Sequence, residues 1–200
     1  MNAAIMKSTL AAIGLALCAS AQAGAPDGIT DAEVALLPQW CIHTQLFRDR
    51  YARGKDQYAR YLKQHGPTWE HMHHYCWALI DMQRHDRALQ TRNSRGYQVS
   101  RVLDNLTYTL ERADLDFVLR PEMLLRGAQF LQRAGRLPEA RKMAAQLVEE
   151  RPEFADGYIV LADVLRQSNS NAEAAKVIDE GQQRASDPAR FSKLRAEYKF

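Results

Sequence analysis

The chain has 200 residues, of which 27 are lysine or arginine and 24 are aspartate or glutamate, giving a formal net charge of +3. This length is enough for one domain with a sizeable hydrophobic core. The nearly even charge balance argues against a protein built to bind nucleic acid or a strongly anionic surface, because such proteins carry a large basic excess.

The first 23 residues have the three parts of a secretory signal peptide. Lys7 supplies a positive charge, residues 8–19 form a short apolar stretch, and an Ala-Gln-Ala cleavage signal stands at 21–23. We therefore expect residues 1–23 to be removed and the mature protein to be periplasmic.

A lipid anchor at Cys18 is the alternative for this segment. The preceding Leu17 is larger than a lipidation site normally allows, so the sequence favours ordinary cleavage. No later apolar run is long enough to cross a bilayer, and we expect no transmembrane segment after signal cleavage.

Residues 24–30 contain proline and glycine without periodicity and are interpreted as a flexible leader. Thr30 and Glu33 fit a capping box, in which each side chain accepts a hydrogen bond from the other residue's backbone amide. This pattern predicts a short helix that ends near Pro38.

Two further helices are expected before residue 66. The first covers residues 39–50, with Trp40, Leu46 and Phe47 as its buried side chains. The second covers residues 55–64 and is stopped by a Gly-Pro pair, because neither residue continues a helix well.

The clearest helical pattern of the N-terminal half covers residues 68–84. A break is predicted at 93–96, then a helix over 97–112 and a connector over 114–120. The apolar residues of the first of these helices recur at steps of three and four, as on one face of a helix. They are Met72, Tyr75, Cys76, Leu79 and Met82.

Two consecutive 34-residue blocks, 121–154 and 155–188, match when one is laid on the other. Ala128 then aligns with Ala162, and Ala140 aligns with Ala174. Such a period indicates stacked helical units, none of which can cover its apolar face alone. The predicted helices span about 121–134, 137–150, 155–168 and 171–185, with a polar capping helix at 189–200.

These blocks resemble tetratricopeptide repeats, which are antiparallel helix pairs with a small residue at the eighth and twentieth positions. The four aligned alanines occupy those positions, Gly135 stands at the first turn, and Pro152 stands near the end of the first block. The resemblance implies an all-α, right-handed solenoid of helical hairpins. Extra N-terminal helices would precede it and a C-terminal capping helix would close it.

A third, degenerate repeat can be laid from Trp69, with Cys76 at the eighth position and Ala88 at the twentieth. It needs an insertion of 18 residues before the frame resumes at Pro121. Residues 31–120 are therefore interpreted as a helical region with one degenerate repeat and an insertion. Its string His-Met-His-His-Tyr-Cys-Trp is similar to one in uncharacterised exported proteobacterial repeat proteins, which implies an envelope location.

Two cysteines remain in the mature chain, Cys41 and Cys76. An even pair in an exported protein predicts a disulfide. The alternative is a periplasmic Cu- or Zn-binding protein that uses the histidine cluster, because imidazole and thiolate are the usual ligands of these metals. Its ligands would come from His43, His71, His73 and His74. Paired cysteines could not serve as ligands, and we expect no cofactor.

No catalytic motif is present in the sequence. It contains no Cys-x-x-Cys, no His-Glu-x-x-His, no Gly-x-Ser-x-Gly and no phosphate-binding glycine loop. We therefore predict that the protein is not an enzyme and has no catalytic residues.

The resemblance also implies a partner-binding groove along the first helix of each pair. In a non-catalytic scaffold exported to the cell envelope, this groove would hold a protein or peptide partner, with apolar anchors among polar side chains. A third possibility is a purely structural subunit of an envelope complex. The predicted groove residues are His73, Trp77, Leu125, Gln129, Arg133, Ile159, Asp163 and Arg166.

Overall fold

The computed structural model describes residues 26, 28–53, 56–87 and 92–198, and across these residues the regular structure is entirely helical. The predicted signal peptide, residues 24, 25 and 27 of the leader, and Ala88 lie outside the described residues. Two 3-10 helices cover Gln39–His43 and Pro67–His71. The α-helices are α1 Asp31–Ala35, α2 Arg48–Tyr51, α3 Tyr58–His65, α4 Met72–Asp86, α5 Arg92–Arg112, α6 Arg120–Arg133, α7 Leu137–Glu150, α8 Ala155–Gln167, α9 Asn171–Arg184 and α10 Ala189–Tyr198.

Helices α6 to α9 form the two predicted hairpins, α6 with α7 and α8 with α9. The four aligned alanines are fully buried, as close helix packing requires. They are Ala128, Ala140, Ala162 and Ala174. The all-α stack of helical hairpins expected from the sequence is therefore confirmed for this part of the chain.

The turns of the two hairpins repeat the same backbone geometry. Gly135 has φ +76° and Asn169 has φ +59°, in the left-handed region that closes a helix end. The next backbone amide then donates to the carbonyl five residues back, Arg136 to Leu131 and Ser170 to Leu165, both at 2.8 Å. Asn169 replaces the usual turn glycine because asparagine tolerates this conformation better than most residues.

Helix α10 closes the C-terminal end of the stack. Phe191 is its one fully buried residue, and the ring packs edge-on against Tyr158 of α8 with centroids 6.1 Å apart. Gly181 of α9 leaves room for the Phe191 ring, because a Cβ there would lie 2.4 Å from the ring's Cε1. A largely polar helix thus covers the last apolar face with Phe191, assisted by the partly buried Leu194 and Tyr198.

Helices α4 and α5 form a further hairpin before the two repeats. Successive contacts run in opposite directions along the two helices, from His74 with Asn105 to Asp81 with Arg101, so the helices are antiparallel. The break predicted at 93–96 is wrong, since α5 is continuous from Arg92. With 21 residues, α5 is longer than the 14-residue α7.

The repeat register predicted for α4 is wrong by two residues. His74 and Asp81 both reach α5, and Ala78 lies between them on the same helix face, where it is fully buried. Ala78 is therefore the small residue at the crossing with α5. Cys76, which the predicted register puts at this crossing, instead forms a disulfide with Cys41 of the N-terminal segment.

The N-terminal residues pack as short helices over α4. The capping box is confirmed, with the Glu33 amide 3.3 Å from Thr30 Oγ1 and the Thr30 amide 2.9 Å from Glu33 Oε2. The single helix predicted over 39–50 is wrong. It is interrupted at Thr44, whose hydroxyl donates to the Cys41 carbonyl at 2.8 Å and so competes with helical bonding.

The buried side chains predicted for residues 39–50 are only partly those observed. Phe47 is buried and Trp40 is partly buried, whereas Leu46 is 56% exposed. The interruption at Thr44 changes the helical phase, which turns Leu46 outward. Among the described residues, no helix combines the length and apolar character needed to span a membrane.

Candidate functional site

The disulfide predicted between Cys41 and Cys76 is present, with an Sγ–Sγ distance of 2.10 Å. Both residues are fully buried. The bond joins the 3-10 helix at Gln39–His43 to the middle of α4 and fixes the N-terminal layer on the hairpin. Neither sulfur can act as a metal ligand while the bond is intact.

The histidines of the alternative metal site lie in two separate surroundings. His43 stacks on Tyr61, with ring centroids 5.8 Å apart. His71 and His74 instead contact Tyr108 of α5, and the His74 ring centroid is 3.9 Å from that of Tyr108. Within the described part of the chain, no three His, Cys, Asp or Glu side chains are grouped to hold a metal ion.

His73 and His74 of α4 are both buried, and His74 is hydrogen-bonded to α5. Asn105 donates its amide to the Arg101 carbonyl, so its oxygen accepts from His74 Nδ1 at 2.7 Å. Burial lowers the pKa of His74. Burial, together with the neighbouring His74, lowers the pKa of His73 to about 4. Both imidazoles are therefore neutral at pH 7.

Trp77 of α4 packs against both of these histidines. Its side chain is 6% exposed and meets the rings of His73 and His74 edge-on, at centroid distances of 4.8 and 4.7 Å. The groove positions predicted for His73 and Trp77 are therefore wrong. Both side chains are buried within the protein and are not exposed to a partner.

The inner face of the hairpin stack is formed by the neighbouring helices α4, α6 and α8. Tyr75 of α4 donates to Glu122 of α6 at 3.3 Å, and α6 packs against α8. Leu125 of α6 and Ile159 of α8 are partly buried on these helices. The other predicted groove residues divide between two clefts, one at each end of this face.

The first of these, which we name the inner cleft, has a volume of about 320 Å³. One wall is the segment 36–38, which follows α1. The floor includes Leu79 and Met82 of α4, and the opposite wall includes Gln129 and Arg133 of α6. The structure thus brings two of the predicted groove residues together with an N-terminal segment that does not belong to any repeat.

The N-terminal wall is held on α4 by a buried carboxylate. Glu33 accepts from Arg84 Nε at 2.7 Å and from Arg84 Nη2 at 3.0 Å, and its side chain is only 3% exposed. The Arg84 hydrogen bond is the main reason that the pKa of Glu33 falls to about 2. Sequence reasoning used Glu33 for helix capping alone, because nothing in the local pattern indicates a partner 51 residues away.

The second cleft lies at the far end of the inner face, where α10 covers α8. The Tyr198 hydroxyl donates to Asp163, and the Arg166 guanidinium lies 3.9 Å from the centroid of the Tyr198 ring. Burial and the hydrogen bond to Asp163 raise the pKa of Tyr198. Both predicted groove residues of this cleft therefore have partners within the chain.

Comparison with known proteins identifies one related family. Residues 128–198 match the family model described as tetratricopeptide repeat. No curated protein and no solved structure matches the chain. The match covers both observed hairpin turns and α10. The C-terminal part of this chain, residues 128–198, is therefore similar to tetratricopeptide repeats.

Proposed function

We propose that the mature chain is an exported, non-catalytic scaffold that holds a protein or peptide partner along the inner face of its hairpin stack. One observation carries this proposal: the first helices of the two hairpins present Leu125 and Ile159 partly exposed among polar side chains. Apolar anchors surrounded by polar groups are a recurring arrangement in peptide recognition. Members of the tetratricopeptide repeat family are generally non-catalytic scaffolds.

The place of action that we propose is the periplasm. The support is the signal-like arrangement of residues 1–23, with Lys7 before an apolar stretch and an Ala-Gln-Ala sequence after it. The disulfide between Cys41 and Cys76 adds support, because such bonds persist mainly in oxidising compartments. The partner is therefore a protein of the cell envelope.

Site-specific photo-crosslinking in the producing bacterium tests this proposal. A photoreactive amino acid replaces exposed Gln129 on the inner face, and exposed Lys176 on α9 serves as the matched control. We expect a discrete adduct with an envelope protein from position 129 and none from position 176. N-terminal sequencing of the purified chain should give a mature start near Gly24.

Two results would contradict the proposal. Identical adducts from positions 129 and 176 would show that the partner contacts the protein without preferring its inner face. A chain that keeps its first 23 residues and remains in the cytoplasm would rule out the envelope assignment.

Replacing Leu125 with Ser should weaken the adduct from position 129 while the circular dichroism spectrum stays helical.

A further inference from the structure

One wall of the inner cleft comes from segment 36–38, which lies outside the repeats, and this wall deepens the cleft. Segment 36–38 rises beside α4, and Leu36 is 68% exposed at its edge. Across the cleft stand Arg126 and Arg133 of α6, with Gln129 between them. At about 320 Å³ the cleft is near the lower end of the range for ligand pockets, so it fits a short segment of chain rather than a folded domain.

The floor of the inner cleft is apolar. Leu37, Leu79 and Met82 line it, and each is almost fully buried by the protein itself. One apolar side chain of a partner that reaches this floor would leave water and also cover the exposed Leu36. Methionine adapts its shape to different side chains, so the floor selects for apolar character more than for one residue type.

The arginines of the inner cleft are held loosely. Arg126 pairs with Glu122 at 2.8 Å, and Arg133 pairs with Asp86 at 3.2 Å, but the two arginine side chains are 50% and 54% exposed. Exposed ion pairs of this kind contribute little net free energy, so an incoming carboxylate can replace the internal one.

The carboxylates around the inner cleft are less accessible than the arginines. Glu33 on the N-terminal wall is buried and shared by Arg84 and Arg87, at 2.7 and 3.5 Å. Glu122 accepts a hydrogen bond from Tyr75 in addition to its ion pair. Asp86 is more exposed but is engaged by Arg133. The two arginine side chains, at 50% and 54%, are thus more exposed than the carboxylates with which they pair, at 32% and 47%.

The spacing of the two arginines sets the pattern of the partner. They are seven residues apart on α6, which corresponds to about 10.5 Å along the helix axis. Two residues four apart in an extended chain are about 13 Å apart and point to the same side. Arginine side chains are long enough to bridge this difference, and the middle residue of the same side would face the floor.

We propose that the inner cleft binds an extended acidic segment of the partner with the pattern Glu-x-Leu-x-Glu, where Asp can replace Glu and another apolar residue can replace Leu. This inference rests on the proposed function, of which it specifies the partner chemistry. The two carboxylates pair with Arg126 and Arg133, and the apolar side chain packs on Leu79 and Met82. Segment 36–38 forms the second wall and so limits the docked segment to α4 and α6.

Fluorescence anisotropy of labelled peptides with the purified mature chain tests this assignment. The probe is fluorescein-labelled Ser-Glu-Ser-Leu-Ser-Glu-Ser, and the comparison peptides carry Lys in place of both Glu or Ser in place of Leu. We expect the Glu peptide to bind at least tenfold more tightly than either comparison peptide. Its affinity should fall as salt is raised, because the contacts are charged.

Charge reversal on the protein supplies the decisive comparison. The double variant Arg126→Glu with Arg133→Glu should lose at least tenfold affinity for the Glu peptide and gain affinity for the Lys peptide. The matched control is Arg141→Glu, which reverses an equally exposed arginine on α7 that pairs with Glu173 of α9. It should leave both affinities unchanged, and circular dichroism should show all variants folded.

The outcomes separate this inference from the proposed function. Equal affinity for the Glu and Lys peptides, absence of binding, or an unchanged affinity in the double variant would overturn the acidic-segment assignment. The crosslink from position 129 would still stand in that case. Loss of that crosslink with peptide binding intact would instead overturn the scaffold proposal and leave the cleft chemistry in place.

Discussion

Replacement of Gly181 by alanine should destabilise the protein, although alanine is the better helix former. A Cβ at this position of α9 would lie 2.4 and 2.7 Å from two atoms of the Phe191 ring and 2.9 Å from Cγ of Tyr158. Both rings are fully buried, so neither can turn into solvent to make room. The new methyl group must therefore push α10 away from α9.

The expected magnitude follows from two opposing contributions. Alanine in place of glycine within a helix stabilises by about 1 kcal/mol. Overpacking a core costs about 1–3 kcal/mol, and here the contacts are about 1 Å shorter than normal van der Waals separations and involve two rigid rings. The cost should therefore lie in the upper part of that range, at about 2–3 kcal/mol, which leaves a net loss of about 1–2 kcal/mol in the free energy of unfolding, with α10 detaching first.

Urea unfolding followed by circular dichroism measures this loss, and hydrogen exchange reports on α10. The matched control is Gly127→Ala, where the new Cβ would meet Met143 Sδ at 2.6 Å, the flexible end of a side chain that can move. It should cost less than the change at Gly181. Shortening Phe191 to leucine should offset part of the Gly181→Ala loss in a double-mutant cycle. A Gly181→Ala protein as stable as the wild type would refute the reasoning.

Three further predictions concern the N-terminal half and its junction with the repeats. The Cys41→Ser, Cys76→Ser double variant should lose about 3–4 kcal/mol, because the bond closes a loop of 35 residues, and urea midpoints should show this loss. Arg120→Ala should cost about 3–5 kcal/mol, since Glu150, which Arg120 binds at 2.7 and 2.8 Å, would keep its hydrogen bond from Gln146 but lose its paired charge. A thermal scan should show a lower Tm than in wild type. In the unfolded chain the pKa of His73 is about 6.5, whereas in the folded protein it is about 4. Between these two pH values only the unfolded state binds the proton. The free energy of unfolding should therefore fall by about 3 kcal/mol between pH 6.5 and 4, and His73→Leu should flatten that slope in urea titrations at several pH values.

The repeat hairpins could be predicted closely because their signals are local. A 34-residue period, four aligned alanines and a turn glycine define the helices to within about two residues. Such repeats contact mainly their neighbours, so short-range pattern and tertiary structure agree. The capping box at Thr30 and Glu33 and the stop at Gly66 succeeded for the same reason.

The first hairpin could not be placed in register from the sequence. Every residue of α4 from Met72 to Met82 is buried, so its pattern does not distinguish one face from another. Ala78 and Cys76 are both small and both fully buried, and only the contacts of His74 and Asp81 with α5 decide between them. This ambiguity led to the wrong placement of Trp77.

The sequence by itself determined the helical-hairpin stack and the pairing of Cys41 with Cys76, and it predicts the inner-face positions of α6 and α8. The tertiary structure alone decided what surrounds those positions. Glu33 binds Arg84 across 51 residues and sets segment 36–38 beside α4, while Tyr198 covers Asp163 at the other end. Contacts between residues so distant leave no local periodicity, because they depend on how whole helices pack together rather than on the order of neighbouring side chains.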